Sequence, residues 1–174
     1  MAIRKILTEP DPFLRQKSSK VEVVDNEIRS LMDDMLETMY NAPGIGLAAI
    51  QIGVPKRVIV IDLSKEKEKK DPLYFINPEI ITKSETDASY EEGCLSVPNQ
   101  FAEISRPDKC KIRFLDYEGN EKILETEGLL ATCIQHEMDH LEGILFIDHL
   151  SKLKKSMIIK KLSKQKKNLE RIVV

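Results

Sequence analysis

The sequence predicts an α+β domain in which mainly antiparallel sheets surround a buried helix, with a further helix at the C terminus. Three observations predict it. An early stripe of apolar residues recurs at helical spacing; the middle is a series of short β-branched or alternating runs; and a late segment is apolar nearly all round before a lysine-rich amphipathic stretch. The 174 residues, 41% hydrophobic and 32% charged, suit one domain, with residues 1–150 as its body and 151–174 as a basic C-terminal helix of the same unit. That balance excludes a disordered chain, and no run approaches the roughly 18 uncharged apolar residues of a membrane span.

In chain order, residues 1–24, with Pro10 and Pro12, read as an irregular arm. From Ile28 the residues Leu31, Met32, Met35, Leu36, Met39 and Tyr40 form one helical stripe, with Asp25 or Asn26 as N-cap, and the helix must stop by Pro43-Gly44. The stretch GIGLAAIQIG is small-residue backbone. Arg57 to Leu63 is a β-branched strand buried on both faces, and Lys65 to Asp71 is a charged loop. Leu73–Ile76, Glu79–Ile81 and Phe101–Ser105 are shorter strand candidates. Lys109–Leu115 alternates Cys110, Ile112 and Phe114 against charged residues, turns through Asp116–Asn120, and returns as Lys122–Thr126. The buried helix runs from Gly128 to about Glu142 and ends at Gly143. Ser151 caps the last helix, whose Leu153, Met157, Ile158 and Leu162 are expected to pack on one side.

Charge is unevenly shared. Residues 151–174 hold nine Lys or Arg against Glu170 alone, leaving residues 1–150 at −10 within a net −2. A basic segment on an acidic body suggests a polyanionic partner for the tail. Cys94, Cys110 and Cys133 are an odd number at wide spacings, which suits a reducing compartment, and Met1 to Asp11 has neither signal- nor transit-peptide character, so a cytoplasmic location is expected. Neither a membrane nor a specific nucleic-acid sequence is an expected partner.

The chemistry is in the buried helix, where His136, Glu137 and His140 form H-E-x-x-H. Two imidazoles one turn apart can reach one divalent ion, and Glu137, about 100° round the helix, can serve as general base to a water there. A catalytic site needs a third ligand. Phe146 stands where metzincin proteases need their last histidine, and the glutamates after His140 are Glu142, on the same turn, and Glu170, in the tail, so the ligand must come from upstream. Cys94, in EEGCLSVP, is one candidate, although alone such a cysteine also reads as a small buried hydrophobe. His149 and Cys110 read as packing or surface groups. Asp139, a carboxylate on a buried helix, needs a partner, and Arg106 is the candidate.

GIGLAAIQ at Gly44–Gln51, EGCLS at Glu92–Ser96 and QHEMDH at Gln135–His140 occur together and in this order. On these motifs the sequence resembles the peptide deformylases of bacteria over essentially its whole length. The resemblance implies a small metallohydrolase that removes the formyl group from N-formylmethionine on nascent polypeptides, with iron(II) as the physiological metal and zinc, nickel or cobalt as substitutes. It implies Cys94, His136 and His140 as metal ligands, Glu137 as the acid/base, and Gln51 with the Leu95 backbone N–H as donors to the oxyanion. Around them, the bare backbone at Gly46 can pair with an extended peptide, residues 99–103 can form the opposite wall, and Ile45, Glu92 and Cys133 can line a pocket for the methionine side chain. A fourth-ligand role for Cys133 would close the site to water. Nascent substrates also point to the ribosome as the partner of the basic helix. The competing reading is an H-E-x-x-H metallopeptidase that cleaves internal bonds.

Overall fold

The computed structural model describes residues 1–173, with side chains described through Asn168, so Glu170 and Arg171 of the basic tail lie outside the described side chains. It is an α+β fold: α1 (Asn26–Asn41), β1 (Gly46–Ala48), β2 (Val58–Ile61), β3 (Leu73–Lys83), β4 (Asp87–Cys94), β5 (Val97–Pro107), β6 (Lys109–Leu115), β7 (Glu121–Glu127), α2 (Gly128–Leu141) and α3 (Lys152–Val173). A five-stranded sheet has the order β1-β2-β3-β6-β7, a two-stranded sheet pairs β4 with β5, and every pairing between these strands is antiparallel. Among the described residues, no helix is long and apolar enough to cross a membrane.

Strand β2 shows why its sequence is β-branched throughout. Val58 and Val60 pack with Met32, Met35 and Met39 of α1, whereas Ile59 and Ile61 pack with Ala131, Cys133 and Ile134 of α2. Successive side chains of a strand point to opposite faces, so a strand sandwiched between helices reads as a continuous apolar run. Each fully buried side chain of this size contributes about 1.5–3 kcal/mol. At the start of α1, Asp25 accepts a hydrogen bond from the Ile28 N–H at 3.0 Å, satisfying one of the helix's free donors.

The strands differ from the sequence expectation in three places. Leu73–Ile76 and Glu79–Ile81 belong to one strand, β3, because the Asn77-Pro78 interruption is a bulge with Asn77 at φ 52, not a turn. Gly46–Ala48 forms the short edge strand β1. The segment before Cys94, too polar to signal a strand, is β4, drawn into a hairpin by an 11-residue β5 that exceeds the expected Phe101–Ser105.

Helix α3 also departs from expectation. Ser151 Oγ accepts from the Lys154 N–H at 3.3 Å, but only Leu162, Ile158 and Ile159 pack against Val97, Ile104 and the Phe146–Ile147 turn. Leu153 and Met157 are 71% and 51% exposed. Before α3, Gly143 ends the chain's turn out of α2 at φ 75, and a Cβ there would collide with the Arg15 carbonyl, so only glycine fits.

Candidate active site

Helix α2 brings His136 and Glu137 to the floor of a cleft of about 490 Å³, with His140 buried behind them. From the other side, the β4–β5 hairpin supplies Cys94, where a register shift at Gly93/Cys94 leads into the Leu95-Ser96 turn. Cys94, His136 and His140 each offer a ligand atom, all within 4.8 Å of one another, and Cys94 Sγ lies 3.4 Å from His140 Nε2. His136 Nδ1 is engaged by Glu92 Oε1 at 2.8 Å, which leaves Nε2 as its free ring nitrogen. A cysteine sulfur and two imidazole nitrogens are a donor set that suits a divalent transition metal and leaves a tetrahedral position open.

Electrostatics follow burial. Burial pushes the Glu137 carboxyl up to about 7, with His136 opposing the shift and Glu92 adding to it. Its Oε2 is buried without a hydrogen-bond partner. Burial alone would lower His136, but the neighbouring Cys94 and the hydrogen-bonded Glu92 hold it well above the usual imidazole range. Burial and the neighbouring His136 hold His140 well below that range. The Cys133 thiol, pushed up to about 12 by burial and then by the charges of Glu137 and Glu92, is a neutral group.

Behind the ligands lies a chain of charge pairs. Arg106, 5% exposed, donates from Nε to Glu92 Oε2 at 2.7 Å, from Nη2 to Glu92 Oε1 at 3.0 Å, and from Nη1 to Asp139 Oδ2 at 2.8 Å. The Arg106–Asp139 pair is therefore present, and His149, expected only to pack or face solvent, lies 2.9 Å from the same Asp139 oxygen. Glu92 is held below the usual carboxylate range: burial opposes this, and hydrogen bonds from His136 and Arg106 prevail. The fork of an arginine matches a carboxylate in two bonds, so the pair orients Glu92 as well as neutralising it.

Gln51, on the turn after β1, accepts from the Ala48 N–H at 2.9 Å and directs Nε2 to Ser96 Oγ at 3.0 Å, with Cys94 Sγ 3.6 Å away. Gly46 comes so close to α2 that a Cβ there would meet Glu137 Oε1 at 2.6 Å. In an antiparallel ladder the groups of alternate residues face opposite ways. The Ile45 carbonyl accepts from the Asp62 N–H of the β2 side at 2.9 Å, so Gly46 turns its own N–H and C=O away from β2.

Ile45, Gly46, Gln51, Glu92, Cys94, Leu95, Cys133, His136 and Glu137 all line the cleft, as do Asn99, Gln100 and Phe101 opposite. His140 lies behind them, fully buried. The Glu92 carboxylate is committed to Arg106 and His136 while its residue lines the wall. Sequence reasoning missed two groups: Arg106 as the partner of Glu92, and Ser96 as the partner of Gln51. The signal for Ser96 was a lone hydroxyl between Leu95 and Val97, a polar residue in apolar company.

The chain matches the family model for polypeptide deformylase over residues 3–156. It is 66% identical over 174 residues to a peptide deformylase of Pelagibacter ubique (strain HTCC1062), covering 100% of both chains. To a peptide deformylase of Phenylobacterium zucineum (strain HLK1) it is 64% identical over 167 residues, covering 96% of this chain and 99% of the relative. Its fold superposes with TM-score 0.91 and 45% identity on a peptide deformylase from Ehrlichia chaffeensis solved with actinonin, covering 95% of this chain and 98% of the other. A peptide deformylase from Legionella pneumophila gives TM-score 0.90 and 45% identity over 98% and 99%.

Proposed function

Because the chain belongs to the peptide deformylase family, a family of metal-dependent amidohydrolases, we propose that it removes the formyl group from N-formylmethionine at the start of nascent polypeptides and releases formate. The observation that carries this reading is the convergence of Cys94, His136 and His140 beside Glu137 in an open cleft. Those three residues would hold the metal, for which we assign iron(II), with zinc, nickel or cobalt able to substitute. When bound, such an ion supplies Lewis acidity to the formyl carbonyl and makes water a better nucleophile at neutral pH.

Water adds across the formyl C–N bond: its oxygen joins the carbon, the C–N bond breaks, and the amine gains a proton. Glu137, with a free Oε2 and a carboxyl raised to about 7, takes the proton from the attacking water and returns it to the leaving amine. Gln51 Nε2 and the Leu95 N–H donate to the carbonyl oxygen as it gains charge, each contributing about 3 kcal/mol. The substrate backbone pairs with Gly46 as an added strand and faces Asn99 to Phe101, a mode that tolerates many sequences. Ile45, Cys133 and the wall at Glu92 receive the methionine side chain; a neutral Cys133 thiol suits that apolar role.

We assign the reaction to the cytoplasm, where nascent chains emerge, with α3 docking on ribosomal phosphate through its lysines. Its exposed Leu153 and Met157 add an apolar edge to that surface. The test of the catalytic reading is incubation of the anaerobically prepared, iron-loaded protein with formyl-Met-Ala, measuring formate and free amine. Equimolar formate and amine support it. Cleavage of internal peptide bonds without formate would establish the metallopeptidase reading instead.

A further inference from the structure

Every polar atom of the Gln51 amide is engaged, and the weakest of its contacts faces the cleft side. A backbone N–H can only donate, so the Ala48 N–H at 2.9 Å identifies the facing amide atom as Oε1. One Nε2 hydrogen goes to Ser96 Oγ at 3.0 Å, and the other donates to Cys94 Sγ at 3.6 Å, a weak sulfur acceptor that a carbonyl oxygen can replace. Gln51 and Ser96 are 1% and 0% exposed.

The backbones of the same two residues are held from behind by the N-terminal arm. The Leu7 N–H donates to the Gln51 carbonyl at 2.7 Å, and the Glu9 N–H donates to the Ser96 carbonyl at 2.8 Å. Gln51 sits on the turn after β1, and Ser96 in the β4–β5 turn, so the two belong to different sheets. The arm and the Gln51–Ser96 side-chain bond close a cycle across that boundary.

We propose that Ser96 and arm residues Leu7 to Glu9 form a clamp that positions Gln51, with Ser96 as a positioning residue for the oxyanion donor. This rests on the reading of Gln51 given above. Ser96 Oγ takes up one amide hydrogen and thereby aims the other at the reacting carbonyl; the arm fixes the spacing between the two turns that carry the donors Gln51 and Leu95. A donor held before substrate arrives needs no reorganisation during reaction, which is where its catalytic value lies.

The experiment measures kcat and KM for formyl-Met-Ala, together with metal content, in Gln51→Ala, Ser96→Ala, Ser96→Thr and the double variant Gln51→Ala/Ser96→Ala. Ser96→Ala is expected to lower kcat by about 10- to 100-fold, the cost of a misplaced group, with KM and metal content unchanged. Ser96→Thr, which keeps the hydroxyl, restores kcat. The double variant falls no further than Gln51→Ala alone, because the two residues act as one unit. Leu7→Pro, which removes the N–H that reaches Gln51, shows the same dependence on Gln51 and takes the place of Ser96→Ala if that chain does not fold. A loss from Ser96→Ala or Leu7→Pro that multiplies fully with that of Gln51→Ala overturns the clamp alone, as does wild-type kcat in both. Wild-type kcat in Gln51→Ala overturns the oxyanion reading of Gln51, and the clamp with it.

Discussion

Helix α2 buries nine of its 14 residues, among them His136, Glu137 and His140, whereas on α3 Leu162 is the buried residue among those described. Both helices are rich in ionisable groups, and they use them oppositely. In α2 the loss of water moves Glu137 up to about 7 and holds His140 below its usual range. Polar groups there are either paired, as Asp139 is with Arg106 and His149, or left free, as Glu137 Oε2 is. The lysines of α3, apart from Lys155 with its Asp148 partner, point to water and contribute a field of positive charge. Burial turns a charge into chemistry, whereas exposure leaves it a long-range, salt-screened field.

The largest effect that can break this comparison is loss of a ligand. Cys94→Ala or His140→Ala is expected to abolish metal binding and turnover together, read by metal analysis and formate release; full occupancy in Cys94→Ala would remove that residue from the ligand set. Next, Glu137→Gln should keep its metal and lose about 100-fold or more in kcat, and a normal rate would take Glu137 out of proton transfer. Arg106→Met tests the buried pairing behind the ligands. It leaves Glu92 without its fork, which costs about 3–5 kcal/mol in urea unfolding. Metal affinity should fall with it by about 10- to 100-fold as His136 loses its orientation.

A smaller effect concerns the root of α3. Asp148 lies 2.5 Å from Arg15 and 2.7 Å from Lys155 of α3. Burial would raise its carboxyl, but Lys155, the Leu145 N–H and Arg15 hold it below the usual range. A depressed folded-state value contributes stability above the unfolded-state value, and that stability is lost as pH falls through the folded one. Amide exchange in α3 should therefore accelerate below about pH 4, the ordinary carboxylate range, and Asp148→Asn should show fast exchange at neutral pH and no further acid step. The smallest effect on catalysis belongs to the outer half of α3: deleting residues 165–174 should spare deformylation of formyl-Met-Ala while weakening ribosome co-sedimentation. If phosphate contacts carry the binding, the log–log salt slope shrinks by roughly 0.7 to 0.9 per contact removed; equal co-sedimentation of both chains would leave α3 a solvated face.

Local pattern and stop signals determined α1, β2, the β6–β7 hairpin and the extent of α2, because each is encoded within one window of residues: the stripe from Ile28 to Tyr40, the run Val58–Ile61, the alternation around Ile112, and Gly143 after the apolar helix. The pair His136 and His140 was legible for the same reason, since helical spacing by itself puts both on one face. Strand β4 was not legible. Its polar residues lack a strand pattern, and pairing with β5 makes it one. Cys94 was named beside the two histidines through the resemblance of its motif, but only the tertiary structure brings their ligand atoms together, and only it decided that Glu92 is gripped by Arg106 and that the arm bridges Gln51 and Ser96. Those meetings join elements far apart in the chain, and they depend on how helices and sheets pack once apolar faces are buried, a choice that no local run of residues encodes.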